Sequence, residues 1–260
     1  MELTYASYLK LHDLLKLQVG RSEPPEHDES LFIIIHQVYE LWFKLILHEM
    51  DKISRDFSAN DLHGAVHTFK RIRTVMKTLV GQLDILETMT PMSFRAFRDR
   101  LERASGFQSV QFRQMEFALG LKSADALKYY TEEMPGVDEL KRRLRAPSVV
   151  DHFYDFLEQN GVDVPGELRA REATAPSIPN EVVQDGLLRL YTTQPDISIL
   201  LELMTDFDEG LQEWRYRHVK MVERTIGNKR GTGGTLGVEF LKKTLFQAVF
   251  PDLWAIRHRL

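Results

Sequence analysis

Histidines set among apolar residues are the first positions in this chain that could do chemistry. His218 falls in the run Leu200, Met204, Phe207, Leu211, Trp214, His218, Met221 and Thr225, whose steps alternate between four and three. That spacing puts the imidazole on the apolar stripe of a helix. A neutral imidazole there must satisfy its ring nitrogens. It is either a core histidine bonded to a carbonyl or a water, or a ligand to a metal or haem. His36 poses a similar choice. It shares a helical face with Phe32, Tyr39 and Phe43, and either packs as a satisfied core residue or exchanges a hydrogen bond with a substrate. Arg95, Arg98, Arg100 and Arg103 crowd one short segment. Most such arginines are solvated; one pointing inward would clamp a carboxylate through two parallel hydrogen bonds, and spacing does not choose among them.

Three further features carry weaker signals. Gly231-Thr232-Gly233-Gly234 is neither a Walker A sequence nor a dinucleotide fingerprint, since it follows a helix. It reads as a mobile connector or as a loop that closes over a ligand. His63 and His67 have chelating i, i+4 spacing but no HExxH pattern or suitably spaced carboxylate, so they read as a solvated pair. Tyr5 and Tyr8 belong either to ordinary packing of a first helix or to an arm that docks on another subunit.

The elements that must position these residues read as helices throughout. Apolar periodicity predicts long helices over 30–57, 61–89 and 195–227. In the first, Ile34, Val38, Leu41 and Leu45 form a second apolar face, which predicts a central helix covered on several sides. Shorter helices are expected over 93–101 with Ser93 as cap, 105–120, 123–134, 137–145, 148–161, 181–192 and 238–246. Residues 162–180, with Pro165, Pro176 and Pro179, read as an irregular excursion. Bundle patterns resume after it, so the expectation is one all-α domain over 1–260, with 228–237 as a glycine-rich loop.

Composition narrows the function classes. The chain has 260 residues, 43% hydrophobic and 28% charged, with a net charge of −4. It lacks the clustered positive footprint of a nucleic-acid binder. The absence of cysteine excludes disulfide scaffolds, zinc–thiolate and iron–sulfur sites, and a thiolate-ligated haem. No secretion-signal layout and no uncharged apolar run of bilayer length is present, so no membrane association and a cytoplasmic location are expected.

Taken together, several stretches resemble the tryptophan 2,3-dioxygenase family. They are Tyr5-Ala6-Ser7-Tyr8-Leu9; His27 to Trp42, which includes Phe32 and His36; Phe97-Arg98-Asp99 followed by Ser105-Gly106-Phe107-Gln108-Ser109; Trp214-Arg215-Tyr216-Arg217-His218; and Gly231-Thr232-Gly233-Gly234. They occur in the family's order and cover nearly the whole chain. The resemblance implies a helical fold with a haem pocket, holding one b-type haem per subunit with His218 as its axial iron ligand. Ser105 and Gly106 would line that pocket on the distal side. His36 would accept a hydrogen bond from an indole N–H, Phe32 would pack on the indole ring, Arg98 would hold the substrate carboxylate, and Thr232 would contact its polar end. Tyr5, Tyr8 and Leu9, in an arm over 1–20, would reach the active site of a neighbouring subunit in a homotetramer built as a dimer of dimers. The implied reaction is cleavage of the indole C2–C3 bond of L-tryptophan by O2 to N-formyl-L-kynurenine, the first step of tryptophan degradation by the kynurenine pathway. Two departures stand out: Thr235-Leu236 where many relatives carry serines, and Phe94 where some carry tyrosine. The alternatives are a related haem enzyme that oxygenates a substituted indole or tryptophan in biosynthesis, and a non-catalytic haem or tryptophan sensor. The sensor should lose His36 or Arg98, and both are present.

Overall fold

The structure is a computed structural model that describes residues 2–227, 229 and 237–260. Thr232 and the glycines around it, together with Thr235 and Leu236, lie outside the described residues. The architecture is a single all-α domain, and no strand occurs among the described residues.

Two short helices come first, α1 (Tyr5–Tyr8) and α2 (Leu11–Leu14), and neither buries a side chain. The long α3 (His27–Ser58) follows. α4 (Leu62–Leu86) starts on Asp61, whose carboxylate accepts from the Gly64 N–H at 2.9 Å, a normal N-cap. α5 (Pro91–Arg98) has Pro91 in its first turn and is capped by Thr90, which accepts from the Ser93 N–H at 3.0 Å. The cap is therefore Thr90, not Ser93: a proline just inside the helix leaves the residue before it in the extended conformation a cap needs.

The helix expected over 105–120 is broken. A 3₁₀ turn (Gly106–Gln108) is separated from α6 (Val110–Ala118) by Ser109 in extended conformation. Ser105 Oγ accepts from the Phe107 N–H and Ser109 Oγ from the Phe112 N–H, at 3.4 and 3.1 Å. These side chains compete with continuous helix for the backbone donors. Tyr130 braces the turn by donating from its hydroxyl to the Phe107 carbonyl at 3.0 Å. The segment expected as a helix over 123–134 forms only a 3₁₀ stretch, Ala124–Tyr129. Next come α7 (Val137–Arg145), α8 (Val149–Gln159), α9 (Gly166–Arg169), α10 (Glu181–Thr193), α11 (Pro195–Ile226), α12 (Val238–Lys242) and α13 (Pro251–Ala255), with a terminal 3₁₀ turn. α12 stops short of the expected 246, and α13 was not expected.

α4 packs along both α3 and α11, and these three form the frame. α6 and α8 cover α3, while α10 and α12 lean on α11. The core runs through Phe57, Phe69, Phe207 and Phe250, with Phe57 in contact with Phe69 and Phe69 with both others. The C-terminal segment is pinned to α11 by the fully buried Asp208, whose carboxylate accepts from the N–H groups of Val249 and Phe250 and from Trp254 Nε1. Such multiple donation is what allows a carboxylate to be buried.

α3 departs from expectation on one side. Ile35, Tyr39, Phe43, Ile46 and Met50 are buried, but Ile34 and Leu41 are 46% and 53% exposed. Among the described residues the second apolar face is thus left open at Ile34 and Leu41, while Val38 and Leu45 are half-buried. α3 is also long and apolar enough, by length and composition, to cross a membrane, although its apolar stretch carries Glu40 and Lys44 and its other side builds the core.

Candidate functional site

His36 and Phe32 lie one turn apart on α3. His36 Nδ1 sits 2.6 Å from the Phe32 carbonyl oxygen, and the two rings are 4.1 Å apart. A carbonyl can only accept, so Nδ1 carries the proton and a neutral ring presents Nε2 as an acceptor. Burial lowers the His36 pKa, while the Phe32 carbonyl and Glu40 work the other way; the net shift is downward. The ring is therefore neutral near pH 7.

α5 closes the opposite side of Phe32. Phe94 and Phe97 lie 5.8 and 5.4 Å from it, and Phe97 is fully buried. The aromatic face of α5 rests on α3 and α11, which fixes its rotation. Of the four clustered arginines, Arg98 alone is half-buried; Arg95, Arg100 and Arg103 are exposed. Burial thus sets Arg98 apart from the other three, a distinction that spacing did not make.

Ser105 and Gly106 form the turn that leads into α6. Gln111 in α6 reaches α3 by donating to the Glu40 carbonyl oxygen at 2.9 Å and to its carboxylate at 2.8 Å, one turn beyond His36. A Cβ placed on Gly106 would meet nothing within 4 Å, so this backbone borders open space.

His218 comes from α11 and keeps a little exposed surface, yet its ring is densely surrounded. The surroundings govern its proton affinity: desolvation, helped by the nearby His36, pushes its pKa down to about 4. Its ring has no hydrogen-bond partner among the described residues. Trp214, one turn earlier, stacks on it with centroids 5.1 Å apart and planes 4° apart. A neutral, unpartnered imidazole with an available lone pair is the chemistry an axial iron ligand requires.

The structure therefore brings Phe32, His36, Arg98, Ser105, Gly106 and His218 onto neighbouring elements. It does not bring Tyr5, Tyr8 or Leu9 into the same chain's site: they are 76%, 70% and 41% exposed. His63 and His67 are exposed on α4, as expected, with His67 Nε2 3.0 Å from Arg71. Sequence reasoning did not single out Trp214 or Phe97 as site walls, and met Phe94 only as a departure from the family pattern. The i, i+4 step from Trp214 to His218 was visible, but parallel stacking is a matter of rotamers. A cavity of about 470 Å³ lies beside the site, lined by Glu40, Gln108, Ser109, Val110, Gln111, Met134 and Pro135, and neither histidine lines it. The histidine pair, not cavity size, locates the chemistry.

Fold and site together define the class: an all-helical domain in which two neutral histidines from different long helices occupy one aromatic-walled region. The family model described as tryptophan 2,3-dioxygenase matches residues 1–161 and 178–260, leaving out most of the irregular segment before α10. The chain is 52% identical over 255 residues to a tryptophan 2,3-dioxygenase of Herpetosiphon aurantiacus, covering 98% of this chain and 97% of the relative. It is 48% identical to that of Anaeromyxobacter dehalogenans over 99% of this chain and 96% of the relative. It is 40% identical to that of Bacillus thuringiensis subsp. konkukian over 99% and 93%. The chain belongs to the tryptophan 2,3-dioxygenase family.

Proposed function

We propose that this chain is a haem-dependent dioxygenase that opens the indole C2–C3 bond of L-tryptophan with O2 to give N-formyl-L-kynurenine, acting in the cytoplasm. The observation that carries the reading is His218: a half-buried, neutral imidazole without a hydrogen bond among the described residues, close to a second neutral imidazole whose Nε2 has no partner among them either. No group of three or more histidine or carboxylate side chains that could hold a metal ion occurs among the described residues. A metal that brings its own macrocycle needs only the one axial ligand that His218 offers. The bound haem supplies the oxygen chemistry.

The protein's own residues bind and orient. Arg98 holds the substrate carboxylate, and a planar guanidinium does this with two parallel charge-assisted hydrogen bonds. Phe32, backed by Phe94 and Phe97, packs on the indole and excludes water from it. His36 accepts the indole N–H on Nε2, because its other nitrogen already donates to Phe32. These contacts hold the reacting carbons in one geometry and so supply part of the rate. Ser105 and Gly106 border the distal side, and Thr232 meets the polar end of the substrate. The exposed α1 supports the reading that Tyr5, Tyr8 and Leu9 complete the site of a neighbouring subunit in a homotetramer.

The test is an anaerobic titration of the ferrous protein with L-tryptophan, followed by O2. The expected result is a Soret shift on titration and one N-formylkynurenine formed per O2 consumed. A protein that carries haem but leaves tryptophan intact would overturn the assignment.

A further inference from the structure

We propose that Trp214 is a positioning residue that sets the rotation of the His218 imidazole about the axis along which that ring would ligate iron. The inference rests on the reading that His218 holds haem. Hydrogen bonding is the usual means of fixing a ligating histidine, with the second ring nitrogen donating to a carbonyl or carboxylate. His218 has no such bond among the described residues, whereas His36 has one. What His218 has instead is the indole of Trp214, parallel to within 4°. The geometry follows from the helix. Side chains on α11 lean toward its N-terminus, so residue 218 lies over residue 214.

Trp214 can transmit orientation because it is itself held on several sides. Phe112 lies 5.1 Å from it, Tyr39 packs edge-on at 6.2 Å, and Phe43 is perpendicular at 6.3 Å. Tyr39 is anchored in turn by donating from its hydroxyl to the Leu79 carbonyl at 2.8 Å. The next residue, Arg215, is nine-tenths buried or more and pairs with Glu116 of α6 at 2.8 Å. Tyr39 and Phe43 continue the α3 face that carries Phe32 and His36. The stack therefore ties the plane of the α11 imidazole to the rotation of α3, and so to the residue that orients substrate. The plane of an axial imidazole selects which iron d orbital it donates into, and a ring left to rotate gives a spread of electronic environments.

The experiment compares ferric holoprotein of the wild type, Trp214→Phe, Trp214→Leu, Trp214→Met and Phe156→Leu. The readouts are the low-temperature electron paramagnetic resonance line and the rate of haem transfer to excess apomyoglobin. Leu and Met both remove the flat face; Met keeps more volume and serves if Leu does not fold. Either should broaden the line and speed haem loss about 10-fold, the scale seen when support of a metal ligand is removed. Phe should keep a narrow line. Phe156→Leu disturbs the core among Phe57 and Phe153, away from Trp214, so it should lower the melting temperature and leave the line unchanged. An unchanged line in the Leu and Met variants, or equal broadening in Phe156→Leu, overturns the proposal. His218→Ala separates the two layers: a retained Soret band there removes the haem reading itself, whereas its loss alongside unaltered Trp214 variants removes only the stacking role.

Discussion

The α3 and α11 sides of the site each present one neutral histidine, and they hold it differently. On α3, the His36 proton is committed to the Phe32 carbonyl, so both the tautomer and the ring orientation are set by a hydrogen bond within one turn. On α11, the His218 ring meets no such partner among the described residues and is oriented by an indole. Both rings are kept neutral by burial. The difference separates two tasks. A committed donor leaves a single acceptor, which suits recognition of an N–H. A ring with neither nitrogen bonded among the described residues keeps its lone pair for a metal.

That division can be broken first at its strongest point. His218→Ala should abolish haem retention, read as loss of the Soret band in protein purified and reconstituted in parallel with wild type; a full band would mean the ligand lies elsewhere. On the other side, Arg98→Ala should raise KM for L-tryptophan by about 10- to 100-fold, since a charge-assisted hydrogen bond contributes roughly 1.5–3 kcal/mol. Indole analogues without a carboxylate should change little, and an equal effect on both would rule out a clamp. His36→Ala should act more gently, lowering kcat/KM about 2- to 10-fold, the net worth of one neutral hydrogen bond. Its sharper signature is loss of discrimination: methylation of the indole nitrogen should weaken catalysis by wild type and leave the variant unmoved. If both enzymes suffer equally, His36 does not accept that N–H.

The smallest effects concern protons. Because burial holds the His36 pKa below its ordinary 6.5, the acid limb of kcat/KM should lie below pH 6.5 and be missing from His36→Ala. A limb centred above that value would contradict a depressed pKa. In haem-free protein the unfolded chain protonates both rings near 6.5, before the folded chain does. Protons then favour unfolding, so stability is full above pH 6.5 and declines as pH falls toward about 4, where His218 takes up its proton in place. Melting temperatures between pH 7 and 5 should fall less steeply in His218→Ala.

Much of this was legible before any coordinates, because helical periodicity is a local property. The stripe that carries His218, the Phe32–His36 pair and the extents of α4, α10 and α11 followed from residue spacing within one element. Where reading failed, the deciding contacts came from elsewhere in the chain or from side chains competing for the backbone. Ser105 and Ser109 drew N–H groups away from a continuous helix. The second apolar face of α3 reads as covered, but Ile34 and Leu41 on it stay exposed among the described residues.

The sequence by itself determined that the protein is helical, which residues share a face with each histidine, and, through its ordered motifs, which family it resembles. Tertiary structure decided which arginine of four lies half-buried next to Phe97, that His36 on α3 helps depress the proton affinity of His218 on α11, and that Trp214 lies flat on His218. The physical reason is common to all three. Burial, field and ring orientation depend on what packs across from a residue, and periodicity specifies only the face on which that residue lies.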